Sequence, residues 1–163
     1  MKREGSVKKL NPAYVEAVRE TISGSPFFRH MSMTIREMGI GFAVVDLEVA
    51  TQHLQAFGCV HGGVYAAAID TAAFWAPFCE LAEGTGITTV DLTVNYLAPA
   101  RQGRITATGK RIKLGKTLGL AEATVTDSQG RLLAHGTSTI IVIPGFGLAG
   151  SPALPPKFLP RGR

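Results

Sequence analysis

The chain has 163 residues, with 17 Lys and Arg against 12 Asp and Glu (net charge +5), 45% hydrophobic residues, 19 Gly, 9 Pro and 2 Cys. This length and apolar content suit one folded domain that needs no disulfide or metal staple, and they exclude intrinsic disorder as a general description. Cys59 and Cys79 are too few for a disulfide framework or a zinc cluster, which fits a reduced, cytoplasmic setting, and the positive excess favours an anionic partner.

The first ten residues are basic but lead into no apolar core with a small-residue cleavage site, so they do not read as a secretory signal. Asn11-Pro12 predicts a helix start, a capping side chain followed by proline at the first helical position, and AYVEAVRETI continues it to about Ser23. SPFFRHM predicts a further turn or two of helix. From Met33 to Ala50 the pattern becomes β-branched and roughly alternating, which predicts a hairpin about Gly39-Ile40-Gly41.

A long helix is predicted from about His61 through GGVYAAAIDTAAFWAPF, too long and alanine-rich for a strand, with Pro77 kinking or ending it by removing the bond to Ala73. Residues 60–78 come nearest to a membrane span, but Asp70 and Pro77 make them a buried helix of a soluble protein. Four strands follow, ITTVDLTVNYL, GRITATGKRIKL, LGLAEATVTD and RLLAHGTSTIIVI, with turns at Pro99–Gly103, Leu114-Gly115-Lys116 and Asp127–Gly130. From Pro144 the Gly/Pro-dense, basic tail reads as an irregular extension. Short connections permit antiparallel pairing only, so the fold class is α+β: a curved antiparallel sheet must wrap a helix that is apolar nearly all round. The divisions are 1–24 (extension and helix), 25–143 (main domain) and 144–163 (tail).

Asp70 is the one acidic residue between Val60 and Cys79, with no Lys or Arg in that stretch to pair with it. Its same-face neighbours on a helix are Ala66, Ala67, Ala73 and Phe74. A carboxylate there is costly to bury unless it is hydrogen-bonded, and it suits a general base or nucleophile; the other reading places it at the helix's one solvent-facing position beside Thr71. His61-Gly62-Gly63 stands where the helix begins, and its free amides and positive dipole end can polarise a carbonyl oxygen. Either His61 is structural, as a lone histidine usually is, or it belongs to a site whose carboxylate lies about two and a half turns on.

The string from Gln55 through His61-Gly62-Gly63 to Asp70, followed by VDLTVNYLAPA and LGKTLGLAEATV, resembles the hotdog-fold acyl-CoA thioesterases of the phenylacetic-acid-degradation type over roughly residues 25–143. The resemblance implies two subunits joined through one continuous sheet, and a dimer of such dimers. It implies Asp70 as base or nucleophile, the Gly62 amide as carbonyl polariser, Gln55 as the side chain placing water or nucleophile, and Thr89 as a hydroxyl contributed by the partner subunit. Substrate contacts follow at His61, Gly63, Tyr96, Pro99 and Arg101 and at the turn with Lys113, Gly115, Lys116 and Thr117. No cofactor is implied beyond coenzyme A as part of the substrate, and no His, Cys and acid cluster suggests a metal.

Lys110, Arg111, Lys113 and Lys116 form either a solvated strand and turn or, with Arg101, a cradle for coenzyme A phosphates. Nucleic acid is disfavoured because these charges are not interleaved with exposed aromatics. Phe57, Phe74, Trp75 and Phe78 read as core or acyl-pocket wall, and His30, His53 and His135 have no evident partner. The expected activity is hydrolysis of an acyl- or aryl-CoA thioester. The rivals are a non-catalytic acyl-CoA-binding dimer and a same-fold hydratase or dehydratase, which usually wants a histidine paired with the acid.

Overall fold

The computed structural model describes residues 9–148 and 153–160. Helix α1 spans Pro12–Ser23; the Asn11 side chain caps it by accepting from the Ala13 amide at 3.1 Å, and Tyr14, Val18 and Ile22, four residues apart, form its buried stripe. Helix α2, Pro26–His30, buries Phe28. Strands β1 (Met33–Gly39) and β2 (Phe42–Glu48) pair antiparallel in the expected hairpin, across the two-residue turn Ile40-Gly41, where Gly41 has φ +80°.

The long helix α3 runs Gly62–Trp75, and Ala76 closes it just before Pro77, as the missing proline amide requires. Four strands follow, β3 Thr85–Tyr96, β4 Arg104–Leu114, β5 Leu118–Asp127 and β6 Leu132–Pro144. The six strands form one antiparallel sheet in the order β1-β2-β4-β5-β6-β3, so β3 pairs with β6 rather than with its neighbour in sequence. Helix α3 packs against β2, β3, β4, β5 and β6. The approach is close enough that a Cβ at Gly109 of β4 would lie 2.0 Å from the Ala72 carbonyl oxygen. Small residues on both surfaces therefore set the depth at which the helix sits.

Helix α1 covers the β1 side of the sheet, while β3 forms the opposite edge and has no strand beyond it among the described residues. Along β3, Val90, Asp91, Thr93, Asn95 and Tyr96 are exposed. The uncovered face of α3 is the stripe Gly63, Ala66, Ala67, Asp70 and Phe74. No helix among the described residues is long and apolar enough to cross a membrane.

The described part of the tail, 153–160, has neither helix nor long strand, yet it is not loose. Phe158 bridges Leu10, the Asn11 amide donates to the Lys157 carbonyl at 2.9 Å, and the Leu159 amide to that of Lys9 at 2.9 Å. These bonds tie it to the residues just before α1.

Candidate active site

The loop before α3 is set by His53, which is buried; its Nδ1 accepts from the Ala50 amide at 3.0 Å and its carbonyl from the His61 amide at 2.8 Å. Burial holds its pKa below the usual histidine value, which keeps Nδ1 an acceptor. Gln55 turns the chain: its Oε1 accepts from the Phe57 amide at 2.8 Å, leaving its amide nitrogen without an acceptor among the described residues. His61 is the helix cap, its Nδ1 accepting from the Gly63 amide at 2.9 Å. The Gly63 amide is therefore occupied. The Gly62 amide, first in the helix, has no acceptor among the described residues.

Gln55, Gly62, Tyr96 and Pro99 are brought together with Cys59, Val60 and Tyr65 around a cleft of about 360 Å³. The Tyr96 ring lies over Gly62, 3.2 Å from where a Cβ would be. The Tyr65 hydroxyl accepts from the Ala100 amide at 2.9 Å and ties the β3–β4 connection to the helix. Arg101 sits on the same loop, donating from Nη1 to the Phe57 and Gly58 carbonyls at 3.2 and 3.3 Å.

Asp70 and Thr89 form a second group. The Thr89 hydroxyl donates to Asp70 Oδ1 at 2.8 Å, while Oδ2 has no partner among the described residues. A bulge between Thr89 and Asp91 interrupts the β3–β6 register there and aims the hydroxyl at the helix. The bond lies within one chain, so Thr89 and Asp70 stand together as one group. In the single chain Asp70 is half-buried on the uncovered stripe, while Thr71 is buried. The neighbours on that stripe are alanine and phenylalanine, so it is an apolar face left open rather than a solvated one. From Gly62 to Asp70 is eight residues, about 12 Å along the helix axis and a rotation of about 80°. One chain cannot aim both groups at a single carbonyl.

Lys113, Gly115, Lys116 and Thr117 are exposed; Gly115 and Lys116 line a separate cleft with Glu80–Ala82, past the C-terminal end of α3 from the Gly62 cleft. The basic run is not uniform, because Arg111 pairs with Glu80 at 2.8 Å, while Lys113 and Lys116 make no ion pair among the described residues. Phe57 is 85% exposed and belongs to no core; Trp75 and Phe78 are buried and Phe74 half-buried. His135 faces Glu122 at 3.6 Å. No group of three or more metal-ligating side chains occurs among the described residues.

Sequence reasoning missed Lys157. Its side chain is buried, and Nζ donates to the Phe78 carbonyl at 2.6 Å with the Phe78 ring centroid at 4.6 Å. Burial pushes its pKa down to about 8, and pushes the nearby Cys79 up to about 11 and Tyr14 up to about 12. The signal was a single cation in the apolar run ALPPKFLP, the same kind of signal that drew attention to Asp70.

A long helix held in a six-stranded antiparallel sheet, with a free amide at its start and a carboxylate on its open face, is a hotdog fold. The model of the thioesterase superfamily matches residues 57–134. The chain is 28% identical over 131 residues to human acyl-coenzyme A thioesterase 13, covering 76% of this chain and 93% of that one. It is 33% identical over 102 residues to a 1,4-dihydroxy-2-naphthoyl-CoA hydrolase of Listeria monocytogenes, covering 63% of this chain and 83% of the relative. The solved structure of a Haemophilus influenzae thioesterase superposes with a TM-score of 0.75 at 24% identity, over 83% of this chain and 94% of that chain. This chain belongs to the thioesterase superfamily.

Proposed function

We propose that the protein hydrolyses an acyl- or aryl-CoA thioester to the carboxylate and free coenzyme A, at a site completed by a second copy of the chain. The observation that carries this reading is the pair of half-sites on α3: an unengaged amide at Gly62, and about 12 Å further along a carboxylate held by Thr89. Two copies joined edge to edge along β3, about a two-fold axis, run their α3 helices antiparallel. The Gly62 end of one helix then lies beside the Asp70 stripe of the other, and the open apolar face is covered.

In that arrangement the Gly62 amide and the helix dipole stabilise the negative charge that develops on the thioester oxygen. Thr89 fixes Oδ1 of Asp70, leaving Oδ2 to take the proton of an attacking water, or to add to the carbonyl carbon and form an anhydride that water then opens to release the carboxylate and restore Asp70. The Gln55 amide nitrogen lies on the Gly62 side to orient the nucleophile. The C–S bond breaks, and the departing thiolate takes up a proton as free coenzyme A. Arg101, with Lys113 and Lys116 of the other copy, supplies positive charge for the coenzyme A phosphates.

Thiol release from a panel of fatty-acyl- and aryl-CoA esters tests the activity. Asp70→Asn is expected to lower kcat by about 100-fold or more while keeping the Thr89 bond and the fold. Esters that bind without being cleaved by the wild type would establish the binding-module reading in its place. Shared sites are tested by co-expressing Asp70→Asn with Gly62→Pro: mixed dimers rebuild one intact site of two, so activity returns to about a quarter of wild type, and none returns if each chain works alone.

A further inference from the structure

A cavity of about 620 Å³, separate from the Gly62 cleft, lies past the other end of α3. That volume is within the range of about 300–1,000 Å³ typical of small-molecule sites. Its walls include Phe74, Trp75, Ile87, Phe146, Leu154 and Lys157. Phe74 is one helical turn beyond Asp70 on the same stripe, and Ile87 is two residues before Thr89 on the same face of β3. The cavity therefore begins one helical turn beyond the carboxylate on α3 and two residues before Thr89 on β3.

The far wall is made by chain outside the matched 57–134 region, and two features hold it in place. A Cβ at Gly86 would lie 2.2 Å from the Phe146 carbonyl oxygen, so glycine there is what lets the segment after β6 cross β3. Lys157 then fixes the tail at several points. Its amide donates to Glu83 Oε1 at 2.6 Å, its carbonyl accepts from the Asn11 amide at 2.9 Å, and Nζ donates to the Phe78 carbonyl with the Phe78 and Tyr14 ring centroids at 4.6 and 5.6 Å. The polar atoms of Lys157 and one carboxylate oxygen of Glu83 are engaged within the protein, which leaves mainly aromatic and aliphatic surface for a ligand.

We propose that this cavity receives the uncharged hydrocarbon body of the acyl group, and that residues 153–157, pinned by Lys157, are its end wall and set the longest chain accepted. The inference rests on the thioesterase reading, but occupancy of the cavity can be measured without turnover. Trp75, the only tryptophan in the sequence, lines the cavity and reports on it directly. Bromododecanoic acid, whose bromine quenches indole fluorescence on contact, is expected to quench Trp75 saturably in the wild type and in Asp70→Asn alike.

Leu154→Phe, which fills the end wall, should lower the ratio of kcat/KM for dodecanoyl-CoA to that for butyryl-CoA about tenfold or more and weaken quenching in step. Lys157→Ala, which frees the wall, should raise the same ratio. A purely structural role for the tail moves both substrates together and leaves the ratio unchanged in both variants, which overturns the proposal. Hydrolysis without Trp75 quenching also overturns it while leaving the thioesterase reading intact. Saturable quenching that Leu154→Phe weakens, with no ester cleaved, retains the pocket and removes the hydrolase.

Discussion

The two ends of α3 are built by different means. The N-terminal end is local: Gln55, His61 and Gly62 lie within eight residues, and the capping bonds and loop turns among them form its cleft with the β3–β4 connection. The C-terminal end is assembled from distant pieces, with Tyr14 of α1, Gly86 of β3, Phe146 after β6 and Lys157 of the tail meeting around the helix aromatics. The local end presents a hydrogen-bond donor, and the assembled end presents shape and apolar surface. On the proposed reading, chemistry that must be aimed within tenths of an ångström rests on a rigid helix start, while ligand size is left to segments that can vary without disturbing it.

Gly62→Pro separates the two ends most sharply. Proline is tolerated at the first helical position and His61 already has the extended backbone that precedes proline, so the change removes one N–H with little backbone cost, while the Tyr96 ring gives by a few tenths of an ångström. The expected result is a fall in kcat of about 100- to 1,000-fold with the dependence on acyl length unchanged, read by steady-state thiol release. Thr89→Val removes the bond that orients Asp70 and should lower kcat about tenfold with a smaller effect on KM.

His61→Ala deletes the cap on the Gly63 amide. It should lower stability by about 1 kcal/mol, seen as a fall of about 2–4 °C in Tm by calorimetry. The smallest expected effect belongs to the other end and is a pH effect. The folded-state pKa of Lys157 is about 8 against about 10.5 unfolded, so the unfolded chain binds more protons between these values and stability rises with pH there. Cys79, raised to about 11, opposes this only above about pH 9. Between pH 8 and 9 the wild-type Tm should therefore rise by about 2 °C, and Lys157→Met should abolish the rise.

Much of the local end was legible in the sequence because its signals are short-range. Asn11-Pro12 marked α1, the hairpin glycines marked β1 and β2, Pro77 ended α3, and the lone Asp70 stood out against alanine. Of the two readings of Phe57, the core one fails, because the tight loop around Gln55 turns the ring outward. Arg111 read as a free cation because Glu80, its partner, lies 31 residues away.

By itself the sequence determined which segments are helix and which are strand, and which residues carry a donor or a carboxylate, since period, capping and turn chemistry act within a few residues. Only the tertiary structure decided that β3 pairs with β6 and forms an open edge, that Thr89 bonds to its own chain's Asp70, and that the tail closes a cavity around Lys157. Each of these joins residues far apart in the chain, and long-range partners are selected by the packing of the whole domain rather than by any local preference.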